Sequence, residues 1–369
     1  AVAIPGDGEV IDPLGGLANL RERKLAAVTE SVFDDDSLRL LRAVRLEKSL
    51  GLSISGGLAS LIRSRGGLAG KPAAERIFAE TALLLSPPGA AAAVRRLDEL
   101  GLLKPILPEL LALKGVEQNE YHHLDVFSHV LATVEELERL LDDPGGVFPD
   151  TAEKIGDRLR RRIAGDADCR LVLVLSALMH DIAKPHCRSL DEDGGVRFLE
   201  HDCRGAELAR EVLSRLKASA EVTRAVSLLV SQHLRLGFLV HERPLSDRAR
   251  FRYLRATDPY TAEAILLSVS DRLAVRGPKS TAGAIEAHLS LARGMMELFF
   301  KEQEAEPLPK LVGGDELIKE LGIQPGPLVG RLLDKIHEEQ KLGNIRTREE
   351  ALSTAARLKR EGRPGRPRG

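Results

Sequence analysis

An apolar run with a polar end constrains this chain more than any other feature. Residues 171–179 are apolar apart from one serine, and His180, Asp181 and Lys184 follow closely. Such a run predicts a buried helix, where an ionisable end has to be capped or bound. An imidazole nitrogen and a carboxylate oxygen together suit a divalent transition metal. For an isolated pair a capped helix end is the commoner explanation, so the rest of the chain has to decide.

Composition indicates a mainly helical protein without a global attraction for nucleic acid. The 369 residues are 43% hydrophobic and 30% charged, and the formal net charge is -1. Leu, Ala, Arg and Glu dominate, which favours helix. Aromatic residues make up 3% and Trp is absent, which disfavours a stacking platform for single strands. RNA contacts would therefore need local basic segments such as 158–162 and 357–368, although a solvated face or a disordered end is the alternative for each.

Cysteine usage and hydropathy indicate the compartment. Cys169, Cys187 and Cys203 form neither a disulfide framework nor a standard zinc spacing. No signal peptide is visible, and the longest apolar run is far shorter than the roughly 20 residues that span a bilayer. We therefore expect a cytoplasmic protein without a membrane partner. The sequence leaves the oligomeric state open.

The His-Asp pair has partners elsewhere in the chain. His129 and Asp271 lie on two further apolar helices, predicted over 125–141 and 260–275. Singly, each residue could be a satisfied core group, but an ionisable side chain on an apolar helix is costly, and a metal would compensate for that cost. The order His129, His180-Asp181, Asp271 resembles the HD phosphohydrolase superfamily. Together these residues predict a metal site.

The HD resemblance implies more than one metal ligand set. His201 and His233 match intermediate histidines of HD proteins that hold two metals, which makes a binuclear site an expectation. The implied cofactor is a divalent metal such as Mg2+, Mn2+ or Ni2+, and the implied reaction is phosphoester hydrolysis by metal-bound hydroxide. Asp181 and Lys184 are the candidate catalytic residues. Lys184 would neutralise phosphoryl oxygens, or alternatively act as a helix C-terminal charge. The remaining histidines are expected in surface or loop positions: His122, His123, His186, His241, His288 and His337.

A second motif precedes the HD pattern. Asp36 and Arg39 are three positions apart and Asp35 and Arg39 are four apart, so a continuous helix would place them on one face. Acidic residues at a helix start are an ordinary explanation, with one of them as the N-cap. The alternative is that an Asp acceptor and the Arg donors jointly read the edge of a base.

This second motif resembles a known family, the bacterial tRNA nucleotidyltransferases (CCA-adding enzymes) and poly(A) polymerases. Asp35-Asp36-Ser-Leu-Arg39 is similar to their nucleotide-selecting motif Glu-Asp-x-x-Arg, with Asp35 in place of Glu. The resemblance implies that Asp36 and Arg39 bind the base of CTP or ATP, with Arg42 on the same segment. Glu75-Arg76, followed by Glu80, resembles the family's next motif and adds Glu75 and Arg76 to the nucleotide-binding set. An ordinary Arg76–Glu80 helical pair is the alternative.

The resemblance also implies an architecture. We expect a mainly α protein with a multi-helix neck and body, an all-helical HD domain, and a short N-terminal β-hairpin over 2–11 left from a nucleotidyltransferase sheet. The expected segments are the remnant of the palm (1–28), the neck and body (29–118), the HD domain (119–303) and a C-terminal helical tail (304–369).

Three functions remain open at this point. The first is part of a tRNA 3′-end nucleotidyltransferase that selects nucleotides and binds the RNA 3′ end. The family's phosphate loop and Asp-x-Asp carboxylates would precede Ala1, so we expect no nucleotide transfer by this chain itself. The second is a stand-alone HD phosphohydrolase acting on phosphomonoesters or 2′,3′-cyclic phosphates. The third is a non-catalytic RNA-binding scaffold.

Overall fold

The computed structural model describes residues 11–165, 167–242 and 244–361. These residues are mainly helical, as predicted, and their strands are short and paired only in twos. The hairpin predicted over 2–11 and the end of the basic tail lie outside the described residues, apart from Ile11 and 357–361. The described chain forms two compact units. One contains the residues up to Val240 together with Pro259–Glu297, and the other contains His241–Asp258 and the residues from Leu298.

Short helices make up the first part of the first unit. Their order, with two strands, is α1 (Gly16–Arg21), β1 (Lys24–Leu25), α2 (Val32–Asp35), α3 (Arg39–Leu50), β2 (Ser53–Ile54), α4 (Gly56–Arg65), α5 (Ala74–Leu85), α6 (Ala90–Glu99), α7 (Leu103–Ile106) and α8 (Pro108–Leu111). The strands pair in parallel, with Lys24 opposite Ser53. Helix α3 packs on α5 and α6 because Leu40, Leu41 and Val44 form one buried apolar face.

Longer helices follow. The elements are α9 (Val126–Asp142), α10 (Ala152–Leu159), β3 (Arg162–Ala164), β4 (Ala167–Asp168), α11 (Cys169–Met179), α12 (Lys184–Cys187), β5 (Arg188–Leu190), β6 (Val196–Phe198), α13 (His201–Arg215), α14 (Ala220–Gln232), α15 (Arg235–Leu239), α16 (Asp247–Thr257), α17 (Thr261–Ala274) and α18 (Ala282–Glu304). Pairs β3–β4 and β5–β6 are antiparallel. Helix α16 belongs to the second unit, and α18 runs from the first unit into the second.

Helix α11 is the centre of the first unit. Residues 171–179 are all buried, and the helix packs against α9, α14 and α17. Its start is fixed by the Asp168 carboxylate, which accepts a hydrogen bond from the Leu171 amide at 2.9 Å. Asp125 and Ser219 cap α9 and α14 in the same way. A helix surrounded by other helices explains the apolar run, and it carries His180 and Asp181 into the interior.

The second unit is a small helical bundle with its own core. It contains α16, the end of α18, α19 (Gly314–Leu321), α20 (Pro327–Lys341) and α21 (Arg348–Glu361). Leu317, Leu332, Ile336 and Ala355 are among its buried core residues. Among the described residues, no helix combines the length and the hydropathy that crossing a membrane requires.

Candidate metal centre and nucleotide pocket

The predicted metal ligands come together at the buried end of α11. His129 Nε2 on α9 lies 3.0 Å from Asp271 Oδ1 on α17 and 3.6 Å from Asp181 Oδ2. His180 Nε2 lies 3.1 Å from Asp181 Oδ2 and 3.7 Å from Asp271 Oδ1. The four side chains that the sequence places on three separate helices thus share one site.

A second group of ligands shares Asp181. His201 at the start of α13 and His233 at the end of α14 place their Nε2 atoms 3.3 Å and 3.9 Å from Asp181 Oδ1. One carboxylate oxygen therefore faces His129 and His180, and the other faces His201 and His233. Each trio of ligand atoms lies within 4.8 Å, small enough to hold an ion. Asp181 is thus in a position to bridge two metals.

Backbone contacts fix the tautomers of three of these histidines. The Nδ1 atoms of His180, His201 and His233 lie within hydrogen-bond distance of backbone carbonyls, at 2.8 Å from Ala177 O, 2.6 Å from Phe198 O and 2.7 Å from Val230 O. A carbonyl only accepts, so each Nδ1 carries the proton and donates it. The Nε2 of a neutral ring then presents a lone pair, and all three Nε2 atoms are buried without a hydrogen-bond partner.

Lone pairs aimed at a carboxylate repel it unless a cation lies between them. The site therefore fits a divalent metal, and its nitrogen and oxygen donors are those of transition-metal sites. His129, His180 and Asp181 would hold one ion with Asp271, and His201 and His233 would hold a second through Asp181. The structure brings together the ligands predicted for both metal positions, and their binding of metal stays a prediction.

Burial and charge set the protonation of the ligands. Burial lowers the pKa of His129, and it lowers the pKa of His233 to about 4, so both rings stay neutral near neutral pH. Burial alone would raise the pKa of Asp181, but the charges of His180 and Lys184 hold it well below its ordinary value. The pKa of His180 lies above its ordinary value because the Asp181 carboxylate outweighs burial. A metal would take the place of that proton.

Lys184 lies directly on the shared carboxylate. Its Nζ is 2.7 Å from Asp181 Oδ2 and donates to Gln118 Oε1 at 2.6 Å, and the side chain is buried. Lys184 begins α12, and its side-chain polar contacts are with these two side chains. The structure places its charge beside the ligand that both groups share.

Two of the histidines expected in surface or loop positions are more buried than such positions imply. His122 does lie in the loop before α9, but it is largely buried, its ring lies edge-on 4.7 Å from that of His129, and its Nδ1 has no partner. Burial lowers the pKa of His122 to about 3. His288 is buried on α18, with its Nε2 3.2 Å from Ser268 Oγ. Neither follows from a sequence pattern: His122 sits in a loop without periodicity, and no spacing singles out His288.

The helix predicted across the second motif is interrupted. Asp36 is extended (φ −150°, ψ 100°) and separates α2 from α3, so Asp35, Asp36 and Arg39 do not share the face of one helix. The Asp36 carboxylate accepts from the Leu38 amide at 3.2 Å and from Arg76 at 3.3 Å. These contacts stabilise the break.

Three of the predicted nucleotide-binding residues line one cavity. Asp35, Arg39 and Arg42 surround a cavity of about 500 Å³ whose other walls include Val32 and Leu46. Arg39 Nη1 lies 4.0 Å from Asp35 Oδ2 and donates to the Val32 carbonyl at 3.1 Å. The pocket thus combines a carboxylate acceptor and guanidinium donors with apolar walls.

The other predicted residues lie elsewhere. Arg76 is exposed and pairs with Asp36, and neither is among the residues that line this cavity. Glu75 lines a different cavity. The Arg76–Glu80 pair is absent among the described contacts. Glu80 instead accepts from Arg42 Nη2 at 2.9 Å and from Arg45 Nε at 2.7 Å, so it orients Arg42 from α5.

Comparison with known proteins identifies the family. An HD domain model matches residues 126–276, and a model described as "Probable RNA and SrmB- binding site of polymerase A" matches residues 51–113. The A-adding tRNA nucleotidyltransferase of Deinococcus radiodurans is 34% identical over 369 residues, covering 98% of this chain and 77% of that protein. The chain belongs to the tRNA nucleotidyltransferase family. The CC-adding tRNA nucleotidyltransferase of Thermus thermophilus is also 34% identical, over 93% of this chain and 71% of that protein.

Solved structures of tRNA nucleotidyltransferases share the fold. The Thermotoga maritima CCA-adding enzyme complexed with tRNA superimposes with a TM-score of 0.52 at 20% identity, covering 97% of this chain and 70% of that one. Both resemblances stated from the sequence are thereby confirmed. The matched ranges fall within the predicted neck and body (29–118) and HD (119–303) segments, whose boundaries stay predictions.

Proposed function

We propose that this chain provides nucleotide selection and RNA binding for the addition of nucleotides to tRNA 3′ ends. The observation that carries the proposal is the cavity lined by Asp35, Arg39 and Arg42, within a chain 34% identical to two tRNA nucleotidyltransferases. The substrates would be CTP or ATP, and the partner would be the 3′ end of a tRNA. The basic segment 158–162 is a further candidate for RNA contact through its exposed residues 160–162, because Arg158 is held by the buried Glu263.

The chemistry of the cavity suits a pyrimidine or purine edge. Arg39 offers several N–H donors and Asp35 offers acceptors, so together they can pair with a base that presents both. Arg42 is held by Glu80 at 2.9 Å, which reduces the freedom it loses on binding.

Replacing Arg39 by alanine is expected to weaken binding of CTP or ATP about tenfold and to reduce the difference between them, because a base loses its donor pair. Equilibrium binding of labelled nucleotides to the chain is the measurement. Arg63→Ala, an exposed arginine outside this cavity, is the matched control and should bind like the unaltered chain. Unchanged affinities for both nucleotides in Arg39→Ala would contradict the assignment.

We further propose that the metal centre hydrolyses phosphomonoesters or 2′,3′-cyclic phosphates. The three partnerless Nε2 atoms around Asp181 support this proposal. A bound metal would lower the pKa of its water and supply hydroxide at phosphorus. Imidazole-rich donors favour Mn2+ or Ni2+ over Mg2+ among the metals expected from sequence.

The chain's own residues have separate roles in this proposal. Asp181 would contribute one carboxylate oxygen to each ligand group. Lys184 orients this carboxylate through an ion pair, with its Nζ 2.7 Å from Asp181 Oδ2. Asp271 is the most exposed ligand, with 21% of its side chain accessible, so substrate would approach from its side. The Lys184 ammonium, beside the shared Asp181 carboxylate, would offset the negative charge of a phosphoryl group bound at the metals.

His180→Ala is expected to lose bound metal and phosphodiesterase activity together. Metal analysis after removal of loosely bound ions and hydrolysis of a 2′,3′-cyclic nucleotide are the two measurements. His186→Ala serves as control because His186 is exposed and lies six positions along the chain. Equal metal content and activity in His180→Ala would reject the centre. RNA binding without metal or hydrolysis in the unaltered chain would favour the scaffold alternative.

A further inference from the structure

A second large cavity lies on the outer face of α13 and α14. Its volume is about 870 Å³, and the residues that line it include Arg210, Lys217, Arg224, Ser227 and Glu75 of α5. Arg210 is nine residues beyond His201, which on an α-helix is about half a turn in direction. The cavity therefore faces away from the metal centre, although the same two helices form both.

The cavity presents uncompensated positive charge. Among its described lining residues, Arg210, Lys217 and Arg224 face a single carboxylate, that of Glu75. Elsewhere on α13 the arginines are neutralised: Arg204 pairs with Glu207 at 2.9 Å and Arg215 with Glu109 at 2.8 Å. Within the described part of the chain, the three lining cations have no such partner. Their charges are therefore available to an anion.

Ser227 supplies an independent indication of a ligand. Its side chain is 5% exposed, and its Oγ has no hydrogen-bond partner among the described residues. By contrast, Ser231 one turn later donates to the Leu228 carbonyl at 2.8 Å. A buried hydroxyl without a partner is costly, and it lines the same cavity as the three cations. The ligand should therefore offer acceptor oxygens.

The first turn of α14 adds to this preference. The helix begins after Ser219, and Ala220 and Thr223 of its first turn line the cavity. The positive end of the helix dipole therefore adds to the field of the cations. None of the described lining residues is aromatic, so bases would find no stacking surface. The ligand chemistry is that of a chain of phosphates rather than of a free nucleobase.

We infer that this cavity binds consecutive phosphates of an RNA strand and so holds the RNA on the face formed by α13 and α14. The 3′ end of the RNA would lie outside this cavity. The inference rests on the proposed function, because that function supplies the RNA. Such contacts are independent of base sequence and position the strand without reading it. We call this row of phosphate contacts the phosphate track. Glu75, which sequence analysis assigned to nucleotide binding, lines this cavity instead, and its carboxylate would repel phosphates at its own position.

The test is the salt dependence of RNA binding to the full chain. A tRNA transcript lacking its 3′-terminal CCA is titrated by fluorescence anisotropy at several salt concentrations. The triple variant Arg210→Ala, Lys217→Asn, Arg224→Ala is compared with the unaltered chain. Asparagine is used at position 217 because its φ of 59° is a conformation that asparagine tolerates. Each lost phosphate contact should reduce the slope of log affinity against log salt by about 0.7 to 0.9.

The expected result is a slope lower by about two to three and an affinity at least tenfold weaker for the triple variant. Ser227→Ala should lower affinity about tenfold with an unchanged slope, because the serine hydroxyl donates a hydrogen bond to phosphate but carries no charge that releases a counterion. Arg204→Ala, on the same helix but ion-paired, should match the unaltered chain. Thermal melts check that each variant is folded.

Two negative results are distinguishable. If the unaltered chain binds the tRNA and the folded triple variant binds it with the same affinity and slope, the phosphate track is wrong and the proposed function stands. If the unaltered chain does not bind tRNA at all, the proposed function and the track both fail.

Discussion

Asp181→Asn is expected to lower metal-dependent hydrolysis by more than about 100-fold, the largest effect of any single substitution in this chain. The reason is geometric, because one carboxylate faces both ligand groups, at 3.1 Å from His180 and 3.3 Å from His201. Asparagine keeps the shape but removes the charge that balances two cations. Hydrolysis of a 2′,3′-cyclic nucleotide with excess Mn2+ is the measurement.

Substitutions of the other ligands should affect the two metal positions differently. Asp271→Asn should reduce the metal held by His129 and His180, whereas His201→Gln should reduce only the second metal. Asp181→Asn should reduce both. Asp193→Asn, an exposed aspartate in the turn between β5 and β6, is the control and should change neither. Full activity in Asp181→Asn would mean that the shared carboxylate is not a ligand.

Glu80→Gln is expected to lower the free energy of unfolding by about 2 to 3 kcal/mol. Glu80 is buried and bridges Arg42 and Arg45, and an amide cannot balance two guanidinium charges. The exposed fraction of both arginines, 39% and 24%, keeps the effect below that of a fully buried network. Chemical denaturation measures it, and nucleotide binding should weaken in parallel because Arg42 loses its anchor.

Glu99→Gln is the matched control for Glu80→Gln. Glu99 also pairs with an arginine, Arg96, but 59% of its side chain is exposed. Exposed pairs contribute little, so this variant should stay within about 0.5 kcal/mol of the unaltered chain. Equal losses for Glu80→Gln and Glu99→Gln would show that the buried bridge has no special role.

The clustering of the candidate metal ligands could be predicted from the sequence because each one breaks an apolar pattern. His129, His180 and Asp271 lie on, or directly at the end of, helices with a buried apolar face, so an ionisable group there required an explanation. The sequence could not predict that the Asp181 carboxylate lies between two groups of histidines, with one oxygen facing each group. This arrangement depends on the turn after α11, which directs the two carboxylate oxygens to opposite sides.

The second motif shows the limit of local reasoning. Three consecutive aspartates at 34–36 are all compatible with a helix start, and the break at Asp36 is stabilised by Arg76, forty positions away. Spacing also indicated an Arg76–Glu80 pair on α5. In the structure Glu80 instead pairs with Arg42 and Arg45 of α3, because two arginines compensate a buried carboxylate better than one exposed arginine does.

Anomalous diffraction from crystals containing Mn2+ tests the central claim most directly. Two peaks are predicted, roughly 3.5 to 4 Å apart, each about 2.0 to 2.3 Å from its nearest ligand atoms. One should lie among His129, His180, Asp181 and Asp271, and the other among Asp181, His201 and His233. Crystals saturated with Mn2+ that show no peak in contact with Asp181 would contradict the assignment of Asp181 as the shared metal ligand.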